Sequence, residues 1–335
     1  MTKRTALLLM MLTTLVTARG QDIHFSQFFN TPYALTPASI GVFDGQYRMG
    51  GVFRQQWRAV TQPYRTFGAG GDMADAFGVK GLGLGTWLYN DRAGDSRLNT
   101  FHFDLGASWT QRWNGGTHSL TGGVQTGLSA IHIDYRDLAF DNQYNGFYYD
   151  PSLPTGEGFA RDALTRFDLH AGALYRYHPA PRELVQVGLG LFNLTRPRIG
   201  FFNTEGEPLD GRTTFSVLTQ FPVSGRVDVM PMLQYMAQGP FRELDIGGNV
   251  RYILTDRYGV LRALQGGVFW RAEDAGYVFA GFERDDWTFG MSYDINFSDL
   301  VPASRNRGGI EFTLVRILRK RPAVPARFKA CPDLL

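Results

Sequence analysis

The sequence predicts an all-β fold, a transmembrane antiparallel up-and-down β-barrel of about fourteen strands, exported by a cleaved signal. Three observations predict it. Apolar and polar residues alternate with period two along most of the chain. The alternating segments are mostly longer than the ~5–6 residues usual for soluble strands and match the ~9–11 that a tilted membrane strand needs. The connections between them alternate between long and short.

The first twenty residues are the export signal. Lys3 and Arg4 form its positive end, Ala6 to Val16 its apolar run, and Ala18-Arg19-Gly20 its small-residue cleavage site. That run is about half of the ~20 residues a spanning helix requires, so cleavage near Gln21 fits better than an anchor. The sole cysteine, Cys331, has no internal partner and no disulfide is expected. Residues 21–46 are read as a periplasmic segment, 47–318 as the barrel and 319–335 as a basic periplasmic tail.

Within the barrel, Phe101, Phe103, Leu105, Ala107 and Trp109 alternate with His102, Asp104, Gly106, Ser108 and Thr110. Near the end, Trp287, Phe289, Met291, Tyr293, Ile295 and Phe297 alternate with Thr288, Gly290, Ser292, Asp294, Asn296 and Ser298. Successive side chains on a strand face opposite ways, so each segment has one greasy and one wet face. Fourteen segments pass this test, the first near 47–57 and the last near 308–318. Gly81, Gly83 and Gly85, and Thr121, Gly123, Gln125, Gly127 and Ser129, cannot build a soluble core but can line a polar lumen. Trp57, Trp87, Tyr89, Trp109, Trp113, Tyr175, Tyr177, Tyr252, Trp270 and Trp287 fall mostly near strand ends, where interfacial girdles belong. With the N-terminus in the periplasm, the long connections 134–165, 196–211 and 298–307 face outside, and tight turns such as Asn114-Gly115-Gly116 face inside. Only about 26 residues precede the first strand, few for a large folded plug, and an open or loop-gated lumen is conceivable.

Chemistry is sparse. The net charge of +3 is scattered, which argues against nucleic acid. No phosphate, dinucleotide or zinc motif appears, so no cofactor and no catalytic residue is assigned, and the chain reads as non-enzymatic. The run Gly81 to Gly85 has no helix behind it and is barrel wall. His102 with Asp104, and His170 with Asp168, share faces as polar lumen filling; a lipid-cleaving barrel would need a nucleophile beside one of these histidines. The long outer loop carries Phe140, Tyr144, Phe147, Tyr148, Tyr149 and Phe159 among Asp141, Asp150, Glu157 and Asp162. It suits a protein-contact surface, or equally an inward-folded plug. In the tail, Arg319, Lys320, Arg321, Arg327 and Lys329 lie among prolines, as a solvated end or a docking strip.

Specific strings add to this pattern. Gln21-Asp22-Ile23-His24-Phe25-Ser26-Gln27-Phe28-Phe29-Asn30, with Pro32, Thr36-Pro37-Ala38 and Gly41, resembles the start of the PorP/SprF family of outer-membrane proteins associated with type IX secretion and gliding motility. Phe53-Arg54-Gln55-Gln56-Trp57, Gly81-Leu82-Gly83 with Asp91 and Gly94, Leu138-Ala139-Phe140-Asp141, Tyr293-Asp294-Ile295, Glu311-Phe312-Thr313-Leu314 and the closing Cys331-Pro332 follow in order. Ile23 stands where the family often has proline. The resemblance implies a membrane-embedded barrel that assists export or surface anchoring of cargo proteins through their C-terminal domains, with periplasmic secretion or motility components as further partners. The alternative is a pore or transporter for small or hydrophobic solutes.

Overall fold

The computed structural model describes residues 22–56, 62–94, 96–135, 138–202, 206–257, 260–297 and 307–319. The leader, Trp57, Cys331 and the tail beyond Arg319 lie outside the described residues. Fourteen strands close into one barrel: β1 Tyr47–Gln56, β2 Tyr64–Met73, β3 Leu82–Ala93, β4 Leu98–Trp113, β5 His118–His132, β6 Ala163–Tyr177, β7 Leu184–Phe192, β8 Arg212–Pro222, β9 Val227–Gln238, β10 Phe241–Arg257, β11 Val260–Arg271, β12 Ala275–Arg284, β13 Trp287–Asn296 and β14 Arg307–Leu318. Each strand pairs antiparallel with its sequence neighbours. β14 returns to β1 over Tyr47↔Leu318 to Gln55↔Ile310, which leaves no open edge. No helix among the described residues is long and apolar enough to cross a membrane; the crossing is by strands.

The two faces divide as the alternation predicts. On β5, Leu120, Val124 and Leu128 are exposed on the outer wall, while Ser119, Thr121, Gln125 and Ser129 are buried inside. On β4, Phe101, Leu105 and Trp109 face out, and His102, Asp104, Ser108 and Thr110 face in. Trp109, Trp113, Tyr177, Tyr252 and Trp270 hold exposed wall positions. Trp87 does not: it is only 4% exposed. It shares the inward parity of Gly83 and Gly85, and Tyr89 follows it into the lumen, so these two leave the expected girdle.

One end of the barrel carries short turns and the other the long loops 133–162 and 193–211. Asn114-Gly115-Gly116 turns with φ of 52°, 68° and 92°, a left-handed run that asparagine and glycine tolerate. In the neighbouring turn the Gly81 N–H donates to Asp75 at 2.7 Å. That bond, ahead of the Arg112 charge, holds the Asp75 carboxyl below the usual carboxylate range. By the rule that outer-membrane barrels keep short turns in the periplasm, the loop-bearing end faces outside.

The outward β5 face gives a direct check on embedding. Val124, 54% exposed at mid-strand, should resist charge: Val124→Arg is expected to make folding into the bilayer less favourable by about 2–4 kcal/mol. Urea titration of folding into phospholipid vesicles measures this, and an effect near zero would mean that this face does not meet lipid.

Candidate functional site

The lumen is filled by the chain's own N-terminal segment. Residues 22–46, expected beside the barrel in the periplasm, run through it instead. Three short turns compact them: a 3-10 turn at Phe28–Asn30, a helical turn at Pro32–Leu35 and a 3-10 turn at Pro37–Ser39. Pro32 and Pro37 open their turns, where a missing N–H costs nothing. Phe25, Tyr33 and Ile40 pack with Val52 and Trp87, and Phe28 and Leu35 pack with Met232, Phe269, Tyr277 and Phe279. Tyr33 stacks on Trp87 at 5.5 Å between ring centroids, which gives the inward-facing tryptophan a buried partner.

The lumen glycines give this segment room. A Cβ at Gly123 would lie 2.5 Å from the Pro37 carbonyl oxygen, at Gly190 2.5 Å from that of Leu35, and at Gly83 2.7 Å from that of Ile40. These obstacles are backbone atoms that cannot swing aside. The glycines therefore form a track along which the plug backbone meets the wall. Side chains complete it: Ser108 donates to the Ile40 carbonyl at 2.6 Å, Thr36 donates to the Leu189 carbonyl at 2.7 Å, and Thr214 donates to that of Leu35.

Two buried charge clusters grip the plug. In the first, the Glu311 carboxylate accepts the backbone N–H groups of Ser26 at 2.9 Å and Gln27 at 2.8 Å. The Ser26 hydroxyl donates to Asp294 at 2.8 Å and accepts from Arg271 at 3.0 Å. Arg54 donates to the His24 carbonyl at 2.5 Å and sits 3.3 Å from Asp294 and 3.6 Å from Glu311. Arg271 also meets Asp245 at 3.2 Å. In the second, Arg48 forks onto Asp72 at 2.9 and 2.7 Å and donates to the Ser39 carbonyl at 2.9 Å. Asp72 accepts from the Tyr33 hydroxyl at 2.8 Å and the Gly41 N–H at 2.7 Å. Buried charges are tolerable only when paired and hydrogen-bonded, and here the plug supplies much of the pairing.

His102 and His170 lie toward the loop-bearing end, around a cavity of about 30 Å³, room for a water, bordered by Asp22, Tyr89 and Arg212. His102 pairs with Asp104 at 2.9 Å as the shared face predicted. His170 does not pair with Asp168; its Nε2 lies 3.5 Å from Asp104, and Asp168 takes Arg166 at 3.1 Å. The difference arises across strands, where sequence spacing does not reach. Ser129 sits 2.7 Å from His102 Nδ1, the nucleophile neighbour that a lipid-cleaving barrel would need. Its Oγ is fully buried and already engaged by Arg166 at 3.0 Å and Asp168 at 3.2 Å, which suits a packed network rather than attack on a substrate. His102, Asp104 and His170 also bring three ligand-type atoms within 4.8 Å of one another. The Asn193 N–H donates to His170 Nδ1 at 3.0 Å, which puts the ring proton on Nε2, facing Asp104. A ligating histidine needs the opposite, a free Nε2 and a donating Nδ1. Within the trio, His102 hydrogen-bonds one Asp104 oxygen and His170 faces the other at 3.5 Å.

The aromatic outer loop splits in two. Phe159 stacks on Tyr135 at 3.7 Å, on Phe202 at 5.3 Å and tilts against Phe140 at 5.6 Å, tying loop 133–162 to loop 193–211. Tyr144, Phe147, Tyr148 and Tyr149 stay exposed, Phe147 at 91%. Asn145 builds their turn, its side-chain oxygen accepting from Phe147 at 3.0 Å and Tyr148 at 3.1 Å, while Tyr144 bridges Tyr149. The loop therefore does not enter the lumen. At the other end, Arg319 is exposed and lies 3.7 Å from Asp286; Lys320, Arg321, Arg327 and Lys329 fall outside the described residues.

The model of the type IX secretion system membrane protein PorP/SprF matches residues 17–315. The chain belongs to the PorP/SprF family. The plug that occupies the lumen is thus the segment whose sequence resembles the family's opening, and Arg54, Asp294 and Glu311, from three other matching strings, converge on it. No curated protein matches the chain. Among solved structures, the Pseudomonas putida toluene transporter TodX is 10% identical, covering 89% of this chain and 94% of that one with a TM-score of 0.51. The Ralstonia pickettii toluene transporter TbuX is 8% identical over 87% and 94%, with a TM-score of 0.50. The monoaromatic hydrocarbon channel CymD is 9% identical over 88% and 94%, at 0.51. At such identities the likeness is one of fold, an outer-membrane barrel.

Removing the central acid should loosen the plug. Glu311→Ala strands two backbone donors and unbalances Arg54, an expected loss of about 3–5 kcal/mol for breaking a buried pair. Chemical unfolding of the detergent-solubilised protein measures it; a loss below about 1 kcal/mol, the scale of a surface pair, would mean the cluster does not hold the plug.

Proposed function

We propose that this PorP/SprF protein is a closed, non-catalytic component of the type IX secretion machinery that assists cargo export or surface retention by holding the cargo's C-terminal domain at loop 133–162. Family membership supports the secretion role. The observation that carries the rest is the division of labour in the barrel: the lumen is occupied by residues 22–46, whereas Tyr144, Phe147, Tyr148 and Tyr149 stand in solvent on a built turn. A pre-ordered aromatic turn loses little entropy on docking, and exposed rings of this kind are typical binding anchors. The basic tail from Arg319 is read as the contact for periplasmic secretion or motility components.

A transport barrel is the second reading, since the fold is shared with hydrocarbon channels and the lumen wall is polar. It requires the plug to move. In a planar bilayer the full chain is expected to give closed traces, while deletion of residues 22–42 opens an ionic conductance. Steady conductance from the full chain would favour the pore.

For the secretion reading, a strain lacking the gene is compared with its parent by quantitative proteomics of the medium and cell surface. Loss of one or a few large proteins identifies clients, and an unchanged set sinks the reading. Against an identified client, the double variant Phe147→Ala, Tyr148→Ala is expected to weaken binding by about 2 kcal/mol or more, roughly thirtyfold, as for anchor residues. Unaltered binding would move the contact elsewhere.

A further inference from the structure

The direction in which the plug threads the barrel has a topological consequence. Its C-terminal end is at the turn-bearing rim. The Gln46 N–H donates to the Leu318 carbonyl at 2.8 Å, the Gln46 carbonyl accepts from Ala74 at 3.0 Å, and Asp44 meets Arg176 at 3.0 Å. Leu318 closes β14 and Ala74 follows β2, both at the end with short turns. Its N-terminal end is at the opposite rim. The Asp22 N–H donates to Gln238 at 2.8 Å, and the Asp22 carboxylate accepts from Asn193 at 2.7 Å and lies 3.9 Å from Arg212. Gln238 ends β9, Arg212 begins β8 and Asn193 follows β7, all three at the loop-bearing end. Between these rims lie His24, beside Arg54 and Glu243, and then Ser26 and Gln27 on Glu311. The segment spans the wall from the outer mouth inward, a distance of about 25 Å.

Asp22 therefore stands at the mouth that faces outside, and Gln46 at the periplasmic rim. We propose that the plug is seated with its amino-terminal end at the loop-bearing mouth, facing the cell exterior, and its carboxyl-terminal end at the periplasmic rim.

The test uses the full chain in its own outer membrane. A short epitope is placed directly ahead of Asp22 with the leader and its cleavage site retained, and a second strain carries the same epitope between Asp44 and Gly45. Antibody applied to intact cells is expected to bind the first and to bind the second only after the outer membrane is permeabilised. The reverse order, or binding of both only after permeabilisation, overturns the proposal. Should the insertions prevent assembly, Asp22→Cys and Asp44→Cys, each in a Cys331→Ser background, are treated with a small membrane-impermeant maleimide. Labelling of Asp22→Cys on intact cells, with Asp44→Cys unlabelled until permeabilisation, supports it. Absence of Asp22→Cys labelling on intact cells, with labelling after permeabilisation or only after denaturation, overturns it.

Discussion

Everything in this structure follows from the cost of leaving a peptide group unpaired in hydrocarbon, several kcal/mol for each. Closure of the sheet through β14 and β1 removes every edge, and once closed the wall must turn one face to lipid and one inward. The lipid face is settled by Leu, Val and Phe. The inner face inherits the opposite problem: a barrel of this width encloses charges and glycines that pack poorly against one another. Residues 22–46 resolve it by bringing backbone donors to Glu311 and Asp72, a carbonyl each to Arg54 and Arg48, and aromatic rings to Trp87 and Phe269.

The barrel was legible in the sequence because lipid makes each strand report on itself. Alternation on β4 or β13 is a local property, so fourteen local readings add up to a closed wall, with strand ends displaced by only a few residues. The plug was not legible by that route. Its three turns lack any repeating period, and its partners Arg54, Asp294 and Glu311 lie between 30 and 285 positions along the chain from the plug residues they touch. A compositional signal was nonetheless present. Phe25, Phe28, Phe29, Tyr33, Leu35 and Ile40 crowd a stretch assigned to water, and so many large apolar side chains in one short segment call for burial. The inward glycines Gly83 and Gly123 are the matching half, polar wall by the alternation and, in the structure, space for the plug backbone.

The smaller misreadings have the same origin. Trp87 and Tyr89 were placed in the girdle because tryptophan and tyrosine near a strand end usually sit there; parity with Gly83 and Gly85 pointed inward, and parity governs. His170 was matched to Asp168 by spacing along β6, whereas Asp104 on another strand reaches it through the lumen. In a barrel, two residues apart on one strand is one neighbour among several, and the interior side chains choose partners around the circumference. The serine beside His102 shows the same effect: β4 and β5 register places His102 opposite Ser129, a juxtaposition with no trace in either strand alone.

The lumen that results is complementary to a polypeptide and poorly so to a hydrocarbon, although the fold is shared with barrels that carry toluene. Glu311 and Asp72 present carboxylates to backbone N–H groups, Arg54, Arg48, Ser108 and Thr214 present donors to backbone carbonyls, and the glycine row admits main chain at a distance that any Cβ would forbid. A hydrocarbon in that space would leave these buried charges and donors unanswered, at 1–3 kcal/mol or more for each, roughly. An occupant replacing the plug would therefore have to be another polypeptide segment, offering backbone donors and acceptors at the same places. Specificity of this kind is a property of the wall, and it explains why so short a segment can seal so wide a barrel.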